Sequence, residues 1–106
     1  MSDAFHFDAG SGCLRLLGEL TVYQIRDATE VLRQSFGSGQ LSLVDLGGVT
    51  EMDTAGLQLL LLAKSIPVTG GAKVALVNHS PPVREVIELA GLSTTLDVMA
   101  SARVSP

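Results

Sequence analysis

The sequence predicts an α/β domain built on one mixed sheet of four to five strands. Two observations carry this. Short β-prone apolar runs alternate with segments whose apolar residues recur at helical spacing, which implies at least one parallel strand pair. The chain is also apolar enough to bury a core: 46% of its 106 residues are hydrophobic, while aromatics are only 4%. A length of this order suits one compact domain, taken here as residues 1–106. The core must therefore come from Leu, Val, Ile and Ala.

The elements follow in order. Residues 5–8 alternate weakly, Gly10-Ser11-Gly12 is a flexible turn, and residues 13–17 read as a strand. Together they predict a hairpin. Gly18-Glu19-Leu20 ends it, and Thr21 is placed to cap a helix over residues 22–36, with Ile25, Ala28, Thr29 and Leu32 on one side. Gly37-Ser38-Gly39 stops that helix. Residues 41–46 read as a buried central strand, and a loop begins at Gly47-Gly48. Asp53 is a good N-cap for a second helix over residues 54–66. Pro67, Gly70 and Gly71 break the chain, and residues 73–77 form another strand. Ser80 is an N-cap followed by Pro81 in the favoured first position. Val83, Val86, Ile87 and Ala90 line one face of the third helix, and Gly91 stops it. Residues 96–99 supply a last edge strand. Helices joined by right-handed crossovers in a sheet growing one way pack on one face.

Composition excludes several functions. The net charge is −4, and the seven Lys and Arg residues are scattered, which argues against nucleic-acid binding. The longest apolar run, within residues 57–63, is far short of the roughly 18 residues needed to span a bilayer. With no signal-like N-terminus, the chain reads as cytoplasmic. The single cysteine, Cys13, allows no intrachain disulfide and reads as a small strand hydrophobe rather than a redox thiol. There is no P-loop, dinucleotide fingerprint or zinc spacing. His6 and His79 lie in different segments. Asp45 and Asp53 could hold a metal across a strand end, as in a receiver domain. However, the acidic pair such a domain carries after its first strand is absent, and Asp45 reads instead as a strand-end acceptor. No enzyme, cofactor or metal is expected.

The functional signal is Asp53-Thr54 between a strand and a leucine-rich helix. At about 100° per residue, Thr54, Gln58, Leu61, Lys64 and Ser65 fall on the side of Leu57. Leu59, Leu62, Ala63 and Ile66 fall opposite and are expected in the core. Two readings of this helix stand side by side. In one it is simply buried nearly all round. In the other, Leu57 and Leu61 form an exposed apolar patch around the Thr54 hydroxyl, which marks a protein partner. Thr54 itself could be a local cap, but Asp53 already suits that role. Gly56 is a poor helix former that could permit close approach by another chain. A phosphate on Thr54 would add about 1.5 to 2 negative charges near the helix dipole's positive end, which the fold should tolerate and an apolar partner should not.

These residues resemble the STAS domain. The run LSLVDLGGVTEMDTAGLQLLLLAK, Leu41 to Lys64, carries the resemblance, flanked by Gly18-Glu19-Leu20 and by Asn78-His79-Ser80-Pro81-Pro82-Val83 leading to Gly91-Leu92. It covers about Phe5 to Val98. The resemblance implies a small mixed sheet with helices packed on one face. In bacterial anti-sigma-factor antagonists of this family, the hydroxyl residue after the motif aspartate is phosphorylated by a partner kinase that is also an anti-sigma factor. Carried over, that acceptor is Thr54. The implied partner-binding residues are Glu19, Thr21, Val22 and Tyr23 in one loop, with Asp53, Thr54, Gly56, Leu57, Gln58 and Leu61 at the second helix. Many such antagonists carry Ser where this chain has Thr. Threonine occurs in other STAS lineages, including the small cytoplasmic subunit of a bacterial phospholipid-transport ATPase, a docking subunit, and stand-alone STAS proteins also accompany chemotaxis kinases. The two functions implied are thus a phospho-regulated partner switch and a constitutive adaptor.

Overall fold

The computed structural model describes residues 5–68 and 70–98. Its order is β1 (Phe5–Asp8), β2 (Cys13–Leu20), α1 (Ile25–Gly37), β3 (Leu43–Met52), α2 (Thr54–Ser65), β4 (Ala75–Val77) and α3 (Pro81–Leu89). The four strands lie in the order β1-β2-β3-β4. β1 and β2 are the predicted antiparallel hairpin, whose turn closes through Gly12 N–H to the Asp8 carbonyl at 2.8 Å. β2–β3 and β3–β4 are parallel, as the intervening helices require.

One face of the sheet is covered. Phe5, Leu14, Leu16, Leu20, Val44, Leu46, Val49, Met52 and Leu76 are buried. They join Ala28 and Leu32 of α1, Leu59, Leu60 and Ala63 of α2, and Val83 and Ile87 of α3 in one core. The alternate positions His6, Arg15 and Ala75 are exposed, and Asp45 is half-buried. The helices therefore pack on one face, as period-two strand alternation dictates.

Several boundaries differ from expectation. β3 does not stop at Leu46 but runs through Gly47-Gly48 to Met52. The glycines are packing residues here: a Cβ on Gly48 would collide with Leu17 Cδ2 on the neighbouring strand. α1 starts at Ile25 rather than Val22, and its N-cap position is Gln24, not Thr21. Residues 21–24 instead form a turn, closed by Gln24 N–H to the Thr21 carbonyl at 2.9 Å and by the Thr21 hydroxyl to Gln24 Oε1 at 2.7 Å. β4 begins at Ala75 rather than residue 73, and α2 ends at Ser65 rather than 66. Ser80 occupies the N-cap position of α3 but makes no side-chain cap bond. Pro81 and Pro82 remove the first two helical donors, so less remains to be capped.

The edge strand predicted over residues 96–99 is not formed. Residues 93–97 are turns, and Met99 lies outside the described residues. Leu96 is fully buried, so its apolarity is used for packing rather than pairing. The outward amide of β4 is taken by a side chain: Leu76 N–H donates to Asp97 Oδ2 at 2.9 Å. Lys64 Nζ holds the same oxygen at 2.8 Å and donates to the Val74 carbonyl at 2.7 Å.

The inward face of α2 is also rotated. Leu62 and Ile66, expected in the core, are 46% and 36% exposed. Gly56, Leu59, Leu60 and Ala63 are buried instead, which turns the inward direction by about 60° toward Leu60. α2 packs on β3 with α1 to one side and α3 to the other. It is therefore wetted along one stripe only.

Candidate functional site

The site forms where β2 and β3 end together, because α1 and α2 both begin there. Asp53 organises it. Its Oδ1 accepts from Ala55 N–H at 2.9 Å and Gly56 N–H at 3.4 Å, capping α2. Its Oδ2 reaches back and accepts from Val22 N–H at 3.0 Å. One carboxylate thus fastens the 21–24 turn to the first turn of α2. These bonds hold the Asp53 carboxyl below the ordinary carboxylate range; the Val22 amide contributes most, Gly56 and Ala55 add to it, and desolvation opposes them.

Thr54 follows as the first residue of α2, and it is exposed. Its hydroxyl has no hydrogen-bond partner among the described residues. The cap role belongs to Asp53, and Thr54 has no local structural task. Beside it, Val22 is 58% and Tyr23 86% exposed. Glu19 and Glu51 are exposed at the ends of β2 and β3. Gln58 is exposed one turn along α2.

Other sequence-predicted positions sit differently. Thr21 is 5% exposed and engaged within its own turn. Leu57 and Leu61 are half-buried and packed against the core rather than forming a free patch around Thr54. Gly56 is buried, and the chain that approaches it closely belongs to the same domain. A Cβ there would collide with the Leu20 carbonyl and stand 2.6 Å from Met52 Cγ.

The apolar opening next to Thr54 lies elsewhere, in a groove of about 250 Å³ between α1 and α2. It is lined by Ile25, Thr29, Ala55, Gln58, Leu59 and Leu62. Sequence reasoning missed the α1 wall. The signal is the Ile25–Thr29 pair, which falls on the more apolar side of α1 at helical spacing. A larger cleft of about 610 Å³ lies beside β4, around Lys64, Lys73, His79 and Asp97. It sits about 15 Å along α2 from Thr54, and Lys64, His79 and Asp97 already bond within the domain. The start of α2 is therefore the candidate site, despite the greater volume at β4.

The remaining chemistry-bearing groups have local partners. Asp45 accepts from Gly47 N–H at 2.8 Å and Asn78 Nδ2 at 3.2 Å, with Arg15 at 4.0 Å. Asp45 is an acceptor as expected, but it lies within β3 rather than at a strand end, and it shares no site with Asp53. His79 Nε2 donates to the Leu96 carbonyl at 2.8 Å. The Cys13 thiol is pushed up by burial first, then by Asp45 and Asp8, with Arg15 opposing, so it stays protonated. Among the described residues no cluster of three or more His, Cys, Asp or Glu could hold a metal, and no helix is long and apolar enough to cross a membrane.

Comparison with known proteins agrees with this architecture. No curated protein matches the chain. Among solved structures, the anti-sigma factor antagonist SpoIIAA in its unphosphorylated form superposes with a TM-score of 0.63 at 23% identity, over 86% of this chain and 84% of that one. A Thermotoga maritima protein, tm1081, provisionally classed as an anti-sigma factor antagonist, gives 0.62 at 19% identity, over 87% and 80%. At these identities the likeness is one of fold. The family model described as "Mlab, STAS domain" matches residues 4–100. With that match spanning nearly all of it, and with the predicted mixed sheet and one-sided helices in place, the chain belongs to the STAS domain family.

Proposed function

We propose that this protein is a phospho-regulated partner-switching regulator of the anti-sigma-factor antagonist type, with Thr54 as phosphoacceptor. It works by binding and release and carries out no chemistry of its own. The observation that carries this reading is the Thr54 hydroxyl, exposed at the start of α2 and without a hydrogen-bond partner among the described residues, beside a helix cap that Asp53 supplies. The likeness to SpoIIAA, a protein solved specifically in its unphosphorylated form, supports it.

The geometry refines how a phosphate would act. The Ala55 and Gly56 amides are already taken by Asp53 Oδ1, and the Leu57 amide bonds the Asp53 carbonyl at 3.1 Å. A phosphate on Thr54 would find few backbone donors and would face the Asp53 carboxylate. It would project outward as an unneutralised dianion over Val22, Tyr23 and the α1–α2 groove. A partner that covers those apolar groups would have to desolvate it, so modification releases the partner.

Mass spectrometry of the protein isolated from its own cells, and after incubation with serine/threonine kinases of the same organism, tests the acceptor. We expect phosphate on Thr54, none in Thr54→Ala, and loss of partner binding in Thr54→Glu. An unmodified Thr54, with a Thr54→Glu protein that binds as well as wild type, overturns the reading.

A second reading has its own support, because the matching family model is described as Mlab. On that reading the same face docks permanently as an adaptor subunit of a phospholipid-transport ATPase or a chemotaxis signalling complex. Stable co-purification that is indifferent to Thr54→Ser and Thr54→Glu would select it.

A further inference from the structure

We draw no further inference here: the strongest candidate, the cleft of about 610 Å³ beside β4 around Lys64, Lys73, His79 and Asp97, carries none because Lys64, His79 and Asp97 already bond within the domain and nothing in the structure shows what covers it.

Discussion

Gly56→Ala separates a packing glycine from a docking glycine. An added methyl would meet the Leu20 carbonyl, Met52 Cγ at 2.6 Å and Leu20 Cγ at 3.1 Å. Met52 and Leu20 side chains can shift, but a carbonyl at the end of β2 cannot move without disturbing its pairing. Overpacking of this kind costs about 1–3 kcal/mol. Replacing glycine by alanine in a helix returns about 1 kcal/mol, less here because Gly56 lies in the first turn. The net expectation is a destabilisation of about 1–2 kcal/mol, or a fall in Tm of roughly 5–15 °C for a domain of this size. Gly37→Ala is the control. It adds a methyl at the end of α1 with nothing within 4 Å, and it should leave Tm unchanged or slightly raised. Thermal unfolding followed by circular dichroism reads both. If Gly56→Ala melts with wild type yet loses its partner, the close packing onto Leu20 and Met52 is not what requires glycine, and the reasoning fails.

Three further outcomes follow from the same geometry. Leu60→Ala, at a position 1% exposed, should cost about 2–5 kcal/mol in urea unfolding, whereas Leu62→Ala on the wet stripe should cost a small fraction of that; equal losses would contradict the rotated α2. The Asp53 carboxyl is depressed in the folded protein, so its contribution is complete above the unfolded value and is lost as pH falls through the folded one. Tm measured against pH should therefore drop on the acid side of the ordinary carboxylate range, and Asp53→Asn should flatten that limb; an unchanged limb would show that Asp53 does not supply it. Asp97→Ala removes the acceptor of Leu76 N–H and the partner of Lys64, so hydrogen exchange at the Leu76 amide should quicken well before global unfolding; protection equal to wild type would refute the edge clasp.

The sequence exposed what short range decides. Asp53 as the cap of α2, the hairpin turn at Gly12 and the stop at Gly91 depend on neighbours a few residues away, and all three are as read. What stayed hidden depends on distant contacts. Thr21 looks like a helix cap until the Asp53 carboxylate, at the end of the neighbouring strand, claims the Val22 amide. Gly47-Gly48 looks like a loop until Leu17 of the adjacent strand is laid across it. Leu62 looks like core until α1 and α3 flank α2 and shift its inward face toward Leu60. The apolar run at Leu96 looks like a strand until its neighbour Asp97 fills the place a strand would take. At the candidate site the hydroxyl and its cap were legible in the residues; the exposed loop was not, since Val22 and Tyr23 read as the start of α1, and it entered only through the family resemblance. Nor was the groove legible, because one wall belongs to α1 and the other to α2.

The Asp97 clasp also bears on how the molecule behaves in crowded solution. The outer rim of a sheet that shows a bare amide invites any passing extended chain to add itself, and repeated addition builds aggregates. At the Leu76 amide that invitation is withdrawn: the donor is occupied, and an arriving chain's carbonyl oxygen finds no hydrogen left to accept. Removing this one side chain should therefore shorten the time the purified protein stays clear on storage, even where folding and partner binding are intact.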